Sequence, residues 1–144
     1  MNRYAFVPTF SQTSFLLVTH VLDTEGGAPT TSPDGVQGNW HDVTAYSGVQ
    51  VGWKVEYFFD KGLVFTELTY EDHLTLASIY MQQRFDETTR RLMFNPLQCK
   101  VDLGIATPAD EAALITYKRY IIAVSEVVNQ PGYPSTINWP ATPY

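Results

Sequence analysis

At 144 residues, with 44% hydrophobic residues and a single cysteine, the chain is long enough for one compact domain or two small lobes, and no disulfide forms within it. Its net charge of −6 argues against a nucleic-acid partner, since phosphate binding needs a surplus of Lys and Arg. The apolar runs Phe15–Val18 and Ile121–Val124 are far too short to span a bilayer, and Met1–Pro8 holds no signal-peptide stretch, so a cytoplasmic protein is expected.

Residues 1–22 are dominated by β-branched and aromatic side chains. They read as two short strands, with Pro8 placing the first at a sheet edge or a break. Asp23–Asn39, rich in Gly and Pro, reads as a loop with almost nothing to bury. Val49, Val51, Trp53 and Val55 then alternate with Gln50, Gly52, Lys54 and Glu56, the period of a half-buried strand. Tyr57–Phe59, the turn Asp60-Lys61-Gly62 and Leu63–Phe65 complete a hairpin.

The period changes at Thr69, a cap with Asp72 three residues on. Leu74, Ser78, Met81, Phe85, Thr88 and Leu92 mark one partly polar helical stripe. Asn95-Pro96 restarts the chain with Pro96 at the first helical position, and a short helix through Leu97, Val101 and Leu103 stops at Gly104. Thr107-Pro108 opens a third helix to Val128, with Asp110 and Glu111 in its first turn and Leu114, Tyr117, Ile121, Val124 and Val128 as its buried stripe. Pairing the stripes lets the two long helices bury their faces as a hairpin. From Asn129 to Tyr144 the chain carries no charged side chain and is punctuated by proline. A tail so apolar is expected to dock, on its own domain or on a partner. The expected class is α+β: an antiparallel β unit over 1–68, then a helical hairpin with an extended Pro-rich tail over 69–144.

Chemistry is hard to find. His20, His41 and His73 lack metal-ligand spacing, and no phosphate loop or dinucleotide fingerprint is present. Ser14, Ser32, Ser47 and Ser78 lack a nucleophile-elbow context. Cys99 reads as a small buried apolar group. Arg84, Arg90 and Arg91, interleaved with Asp86 and Glu87, read as a solvated helix face. The paired acids Glu71-Asp72 and Asp110-Glu111 suit helix starts. No enzyme, cofactor or metal is expected. The aromatic stretch Trp40, Tyr46, Trp53, Tyr57, Phe58, Phe59 reads as core and cross-strand pairs, or as a sugar-binding platform. Ile137 and Trp139, followed by Pro140, project to one side of the tail, where they anchor it on the helices or present an anchor to a partner. Trp40, Tyr46, Trp53, Tyr57, Ile137, Trp139 and Pro140 are therefore the candidate partner-binding residues.

The run Pro96-Leu97-Gln98-Cys99-Lys100-Val101-Asp102-Leu103-Gly104-Ile105-Ala106-Thr107 resembles a segment of tailed-phage tail fibre assembly proteins. So do Asp110-Glu111, the centre Tyr117-Lys118-Arg119-Tyr120 and the ending Trp139-Pro140-Ala141-Thr142-Pro143, in that order, and more loosely Val51-Gly52-Trp53 with Phe65. The resemblance implies an ATP-independent chaperone that binds the C-terminal region of a trimeric tail fibre in the cytoplasm of the bacterial host. It also implies, as the alternative, a component retained on the fibre tip that contributes to receptor binding. Self-association into a homo-oligomer is a further expectation.

Overall fold

A computed structural model describes residues 1–144 apart from 14 and 47, so the readings of Ser14 and Ser47 lie outside the described residues. The chain divides into two compact units, Met1–Thr69 and Tyr70–Tyr144. The class is α+β, with two three-stranded antiparallel sheets in the first unit and three α-helices in the second among the described residues.

In the first unit β1 (Asn2–Pro8), β2 (Leu16–Leu17), β3 (His20–Thr24), β4 (Gly38–Asp42), β5 (Lys54–Phe58) and β6 (Gly62–Thr66) form sheets ordered β3-β1-β4 and β2-β5-β6. β1 is thus a central strand, not an edge. Pro8 lies past Phe6, the last residue paired with β3, where its missing N–H breaks no ladder bond on that side. Tyr4, Ala5, Phe6 and Val7 are all buried because both faces of β1 are covered. Ala5 and Val7 join Val18, Val43, Val49, Val55 and Phe65 in the core. On the opposite face Phe6 stands in register with His20 and Trp40 and meets both rings edge-on. Gly38 makes room there: a Cβ would sit 2.7 Å from the Phe6 Cζ and 2.5 Å from the Val7 carbonyl oxygen.

The alternation from Val49 to Val55 is not one strand. Gly48 and Gly52 hold φ of 94° and 89°, so the chain turns through residues 48–53 and β5 begins only at Lys54. Val51 is left exposed by that turn. The hairpin forms as its turn chemistry directs, with Phe58 opposite Gly62, Gly62 at φ 72° and the Lys61 N–H donating to the Phe58 carbonyl at 3.2 Å.

The second unit contains α1 (Tyr70–Phe94), α2 (Leu97–Asp102) and α3 (Pro108–Ser125), then a 3-10 helix, Glu126–Asn129. The predicted α1 stripe is only partly right. Leu76, Ala77 and Thr88 are buried, whereas Ser78 is exposed. The C-terminal segment packs against one flank of α1, where its rings meet Tyr80, Arg84 and Arg91. Pro96 is the cap of α2, one residue outside the helix; its carbonyl accepts the bond from Lys100 N–H at 3.1 Å. Cys99 is exposed, contrary to the buried reading. On α3 Leu114, Tyr120 and Val124 are buried and Tyr117 and Ile121 half-buried. The tighter 3-10 turn then swings Val127 inward and leaves Val128 exposed, reversing the expectation for that pair.

Thr107 caps α3 through a reciprocal box, in which the Asp110 N–H donates to Thr107 Oγ1 and the Thr107 N–H to Asp110 Oδ2, both at 3.1 Å. The bond from the Thr107 backbone, the largest influence on it, holds the Asp110 carboxyl below its ordinary pKa. Thr107→Ala is expected to lower the stability of this unit by about 1 kcal/mol in urea unfolding, and an unchanged midpoint would contradict the cap's role. Residues 131–136 form turns, and 137–144 carry neither helix nor strand.

Candidate functional site

Two aromatic constructions stand out, one in each unit. In the first unit the segment before β2 and the β5–β6 hairpin border an open groove of about 480 Å³. Phe10, Phe15, Tyr57, Phe58 and Leu63 give it apolar walls, and Thr9, Ser11, Thr13 and Glu56 supply polar groups. Phe10 is 80% exposed, Tyr57 72%, and Phe59, next in the chain at the turn, 98%. Lys54 Nζ lies 5.6 Å from the Phe15 ring centroid and ion-pairs with Glu56 at 3.5 Å. Rings exposed together in this way are unusual on a surface that meets only water and fit a protein-contact role.

Of the four first-unit residues singled out from the sequence, only Tyr57 lines the groove. Trp40 lies on β4 against Phe6, and its indole N–H donates to the Thr31 carbonyl at 2.9 Å. Tyr46 leans on Phe65, with centroids 5.8 Å apart. Trp53 packs against the core. The structure therefore spreads these four over different surroundings instead of gathering them on one platform.

The second construction fastens the C-terminal segment. The Arg84 guanidinium lies 3.9 Å from the Trp139 ring centroid, and Tyr80 meets the same ring edge-on at 6.5 Å. Arg91 lies 3.8 Å from the Tyr144 ring, which also stacks on Tyr117 at 6.1 Å and meets Tyr120 edge-on at 6.4 Å. Gln130 ties the segment back on itself, accepting from the Asn138 N–H and donating to the Asn138 carbonyl, both at 2.8 Å. Ile137 and Pro140 are half-buried beside Trp139 in sequence. Arg84 and Arg91, seven residues apart, fall on one helix face and each covers a ring, which corrects the solvated reading for Arg84; Arg90 and Arg91 are exposed, as that reading expects. That spacing, set against Trp139 and Tyr144, was the available signal. Nothing comparable marked Phe10 and Phe15, which reach the groove through tertiary folding.

The Tyr120 hydroxyl is buried without a hydrogen bond among the described residues. Burial first, and Tyr144 second, push the phenol pKa above its ordinary value. Tyr120→Phe is expected to leave stability unchanged or raise it by up to about 1 kcal/mol, because an unsatisfied polar group leaves the interior. A loss of that size would show that the hydroxyl is bonded.

Burial lowers the His41 pKa, and among the described residues no three His, Cys, Asp or Glu side chains are grouped to hold a metal. No helix among them is long and apolar enough to cross a membrane.

The hairpin tip at the groove and the whole helical unit with its fastened segment are what the chain shares with known proteins. The profile of the Caudovirales tail fibre assembly protein, lambda gpK, matches residues 57–144, and the chain belongs to that family. No curated protein and no solved structure matches it significantly. Its role is accordingly in tail fibre assembly, and a tail fibre is the partner that the family implies. The match begins at Tyr57 and leaves β1 to β4 outside it.

Proposed function

We propose that this protein is a chaperone that binds the distal C-terminal part of a trimeric tail fibre and assists its folding and trimerisation without ATP, in the cytoplasm of the bacterial host. A β-rich trimer must pair strands between chains at a high closure cost while its free edges invite aggregation. A protein that binds the assembly-competent form shifts its population by mass action and needs no fuel. The observation that carries this reading is the exposed aromatic groove, with Tyr57 and Phe59 at the hairpin with which the family match begins. We assign fibre contact to Tyr57, Phe10 and Phe59. Trp139, Ile137 and Pro140 act by holding the C-terminal segment in place, and Trp40, Tyr46 and Trp53 act as packing residues of the β unit, each in its own surroundings.

Binding of the purified chain to a C-terminal fragment of its cognate fibre, measured by calorimetry, tests this. Replacing Tyr57 and Phe59 together with serine is expected to weaken binding by tenfold or more, about 1.4 kcal/mol, while the circular dichroism spectrum stays unchanged. Undiminished affinity would exclude the groove as the contact.

A further inference from the structure

β6 is an edge strand. The order β2-β5-β6 leaves its outer side without a strand among the described residues. Exposed edges are commonly blunted by an internal charge, a proline or a bulge. Gly62-Leu63-Val64-Phe65-Thr66 has neither charge nor proline and pairs with β5 in unbroken register.

The direction of its free backbone groups follows from the ladder. The Val18 N–H donates to the Trp53 carbonyl at 2.8 Å, and Leu16 pairs with Val55. In an antiparallel ladder the bonded positions alternate, so Val55 and Tyr57 aim their backbone at β2, and Lys54, Glu56 and Phe58 aim theirs at β6. Their partners Thr66, Val64 and Gly62 point back at β5. The N–H and C=O groups of Leu63 and Phe65 are left directed outward.

We propose that this edge pairs with β6 of a second copy of the chain, antiparallel about a two-fold axis at Val64. Leu63 of each copy then lies opposite Phe65 of the other, so the four outward groups of each strand meet complementary ones. The occupant is chosen by charge. Lys61 and Glu67, the residues immediately flanking β6, are both exposed, and this register brings the Lys61 side chain, from the turn before Gly62, beside Glu67 of the other copy at both ends of the pairing. Centring the pair on Leu63 or on Phe65 would also join the outward groups, but it would set Lys61 against Phe65 or Glu67 against Leu63. Only the Val64 register is complementary in both backbone and charge, and that self-complementarity is what a two-fold interface requires. The result is a six-stranded sheet continuous through both copies. A single strand pairing buries less than a standard interface, so the dimer is weak, on the order of micromolar. This inference goes beyond fibre binding and does not depend on it.

Sedimentation equilibrium of the full chain at low salt, over a concentration series, is the test. The native chain should show a monomer–dimer equilibrium. Lys61→Glu and Glu67→Lys should each weaken it by about tenfold, since every dimer then carries two like-charge contacts in place of two ion pairs. An equimolar mixture of the two variants should form heterodimers, because opposite charges face each other again, and the double variant K61E/E67K should return to within about threefold of the native constant. Monomers at every soluble concentration would overturn the proposal. So would a dimer indifferent to the single reversals, or a failure of the mixture to associate.

Discussion

Replacing Phe6 with alanine is expected to destabilise the β unit by about 3–5 kcal/mol, enough to unfold a domain of ordinary stability or bring it to the verge. The ring is 0% exposed. Its centroid lies 5.3 Å from that of Trp40 and 6.2 Å from that of His20, so truncation removes two edge contacts as well as the buried area. The site cannot easily collapse, because β1 is pinned between β3 and β4 on either side of this residue. Gly38 offers no side chain to fill the gap. Fluorescence-detected urea unfolding checks this, with Trp139→Phe introduced so that Trp40 and Trp53 alone report. A shift of less than 1 kcal/mol would mean that the Phe6 face is not the support we describe.

Trp139→Ala is the second large effect. It removes the Arg84–Trp139 contact, worth about 0.5–2 kcal/mol, together with the burial of a half-exposed indole. A total of about 2–3 kcal/mol holding residues 137–144 would be lost, so amides there should exchange with solvent at least tenfold faster while those in the middle of α3 keep their protection. Arg84→Ala should give a similar change, and the double variant should add little to either, because the two side chains share one contact. If the effects of Arg84→Ala and Trp139→Ala simply add, the guanidinium and the indole do not act together. Loss of the Arg91–Tyr144 contact should produce a smaller version at the end of the segment, since Tyr117 and Tyr120 still hold that ring.

Much of this architecture is local and therefore legible in the residues. Asp60-Lys61-Gly62 dictates a hairpin, and Thr107-Pro108 with Asp110 dictates a capped helix, because short-range backbone preferences decide both. The central place of β1 was not legible. Its partners lie on either side of the long Gly- and Pro-rich connection, and nothing near Asn2–Pro8 announces a pairing with Gly38–Asp42. The alternation from Val49 to Val55 misled because a period-2 pattern is blind to backbone sign, and Gly48 and Gly52 take positive φ. The arginines of α1 misled for another reason. Beside Asp86 and Glu87 they look solvated, and Glu87 does pair with both Arg90 and Arg91. Yet a guanidinium can keep a carboxylate at its edge while its flat face covers a ring, as Arg91 does with Glu87 and Tyr144. That the uncharged C-terminal segment docks was legible in its composition, and Trp139 does pack on Arg84 and Tyr80. Phe10 and Phe15 belong to the groove only because folding brings the segment before β2 beside the hairpin.

On the proposed function, the fibre assembles because this chain lends it an aromatic surface. The decisive measurement is the yield of soluble SDS-resistant fibre trimers when the cognate fibre is expressed alone, with the native chain, and with the Tyr57→Ser, Phe59→Ser variant. Abundant trimers are expected only with the native chain, and a yield near that of the fibre alone with the variant. Equal yields in all three expressions would contradict it.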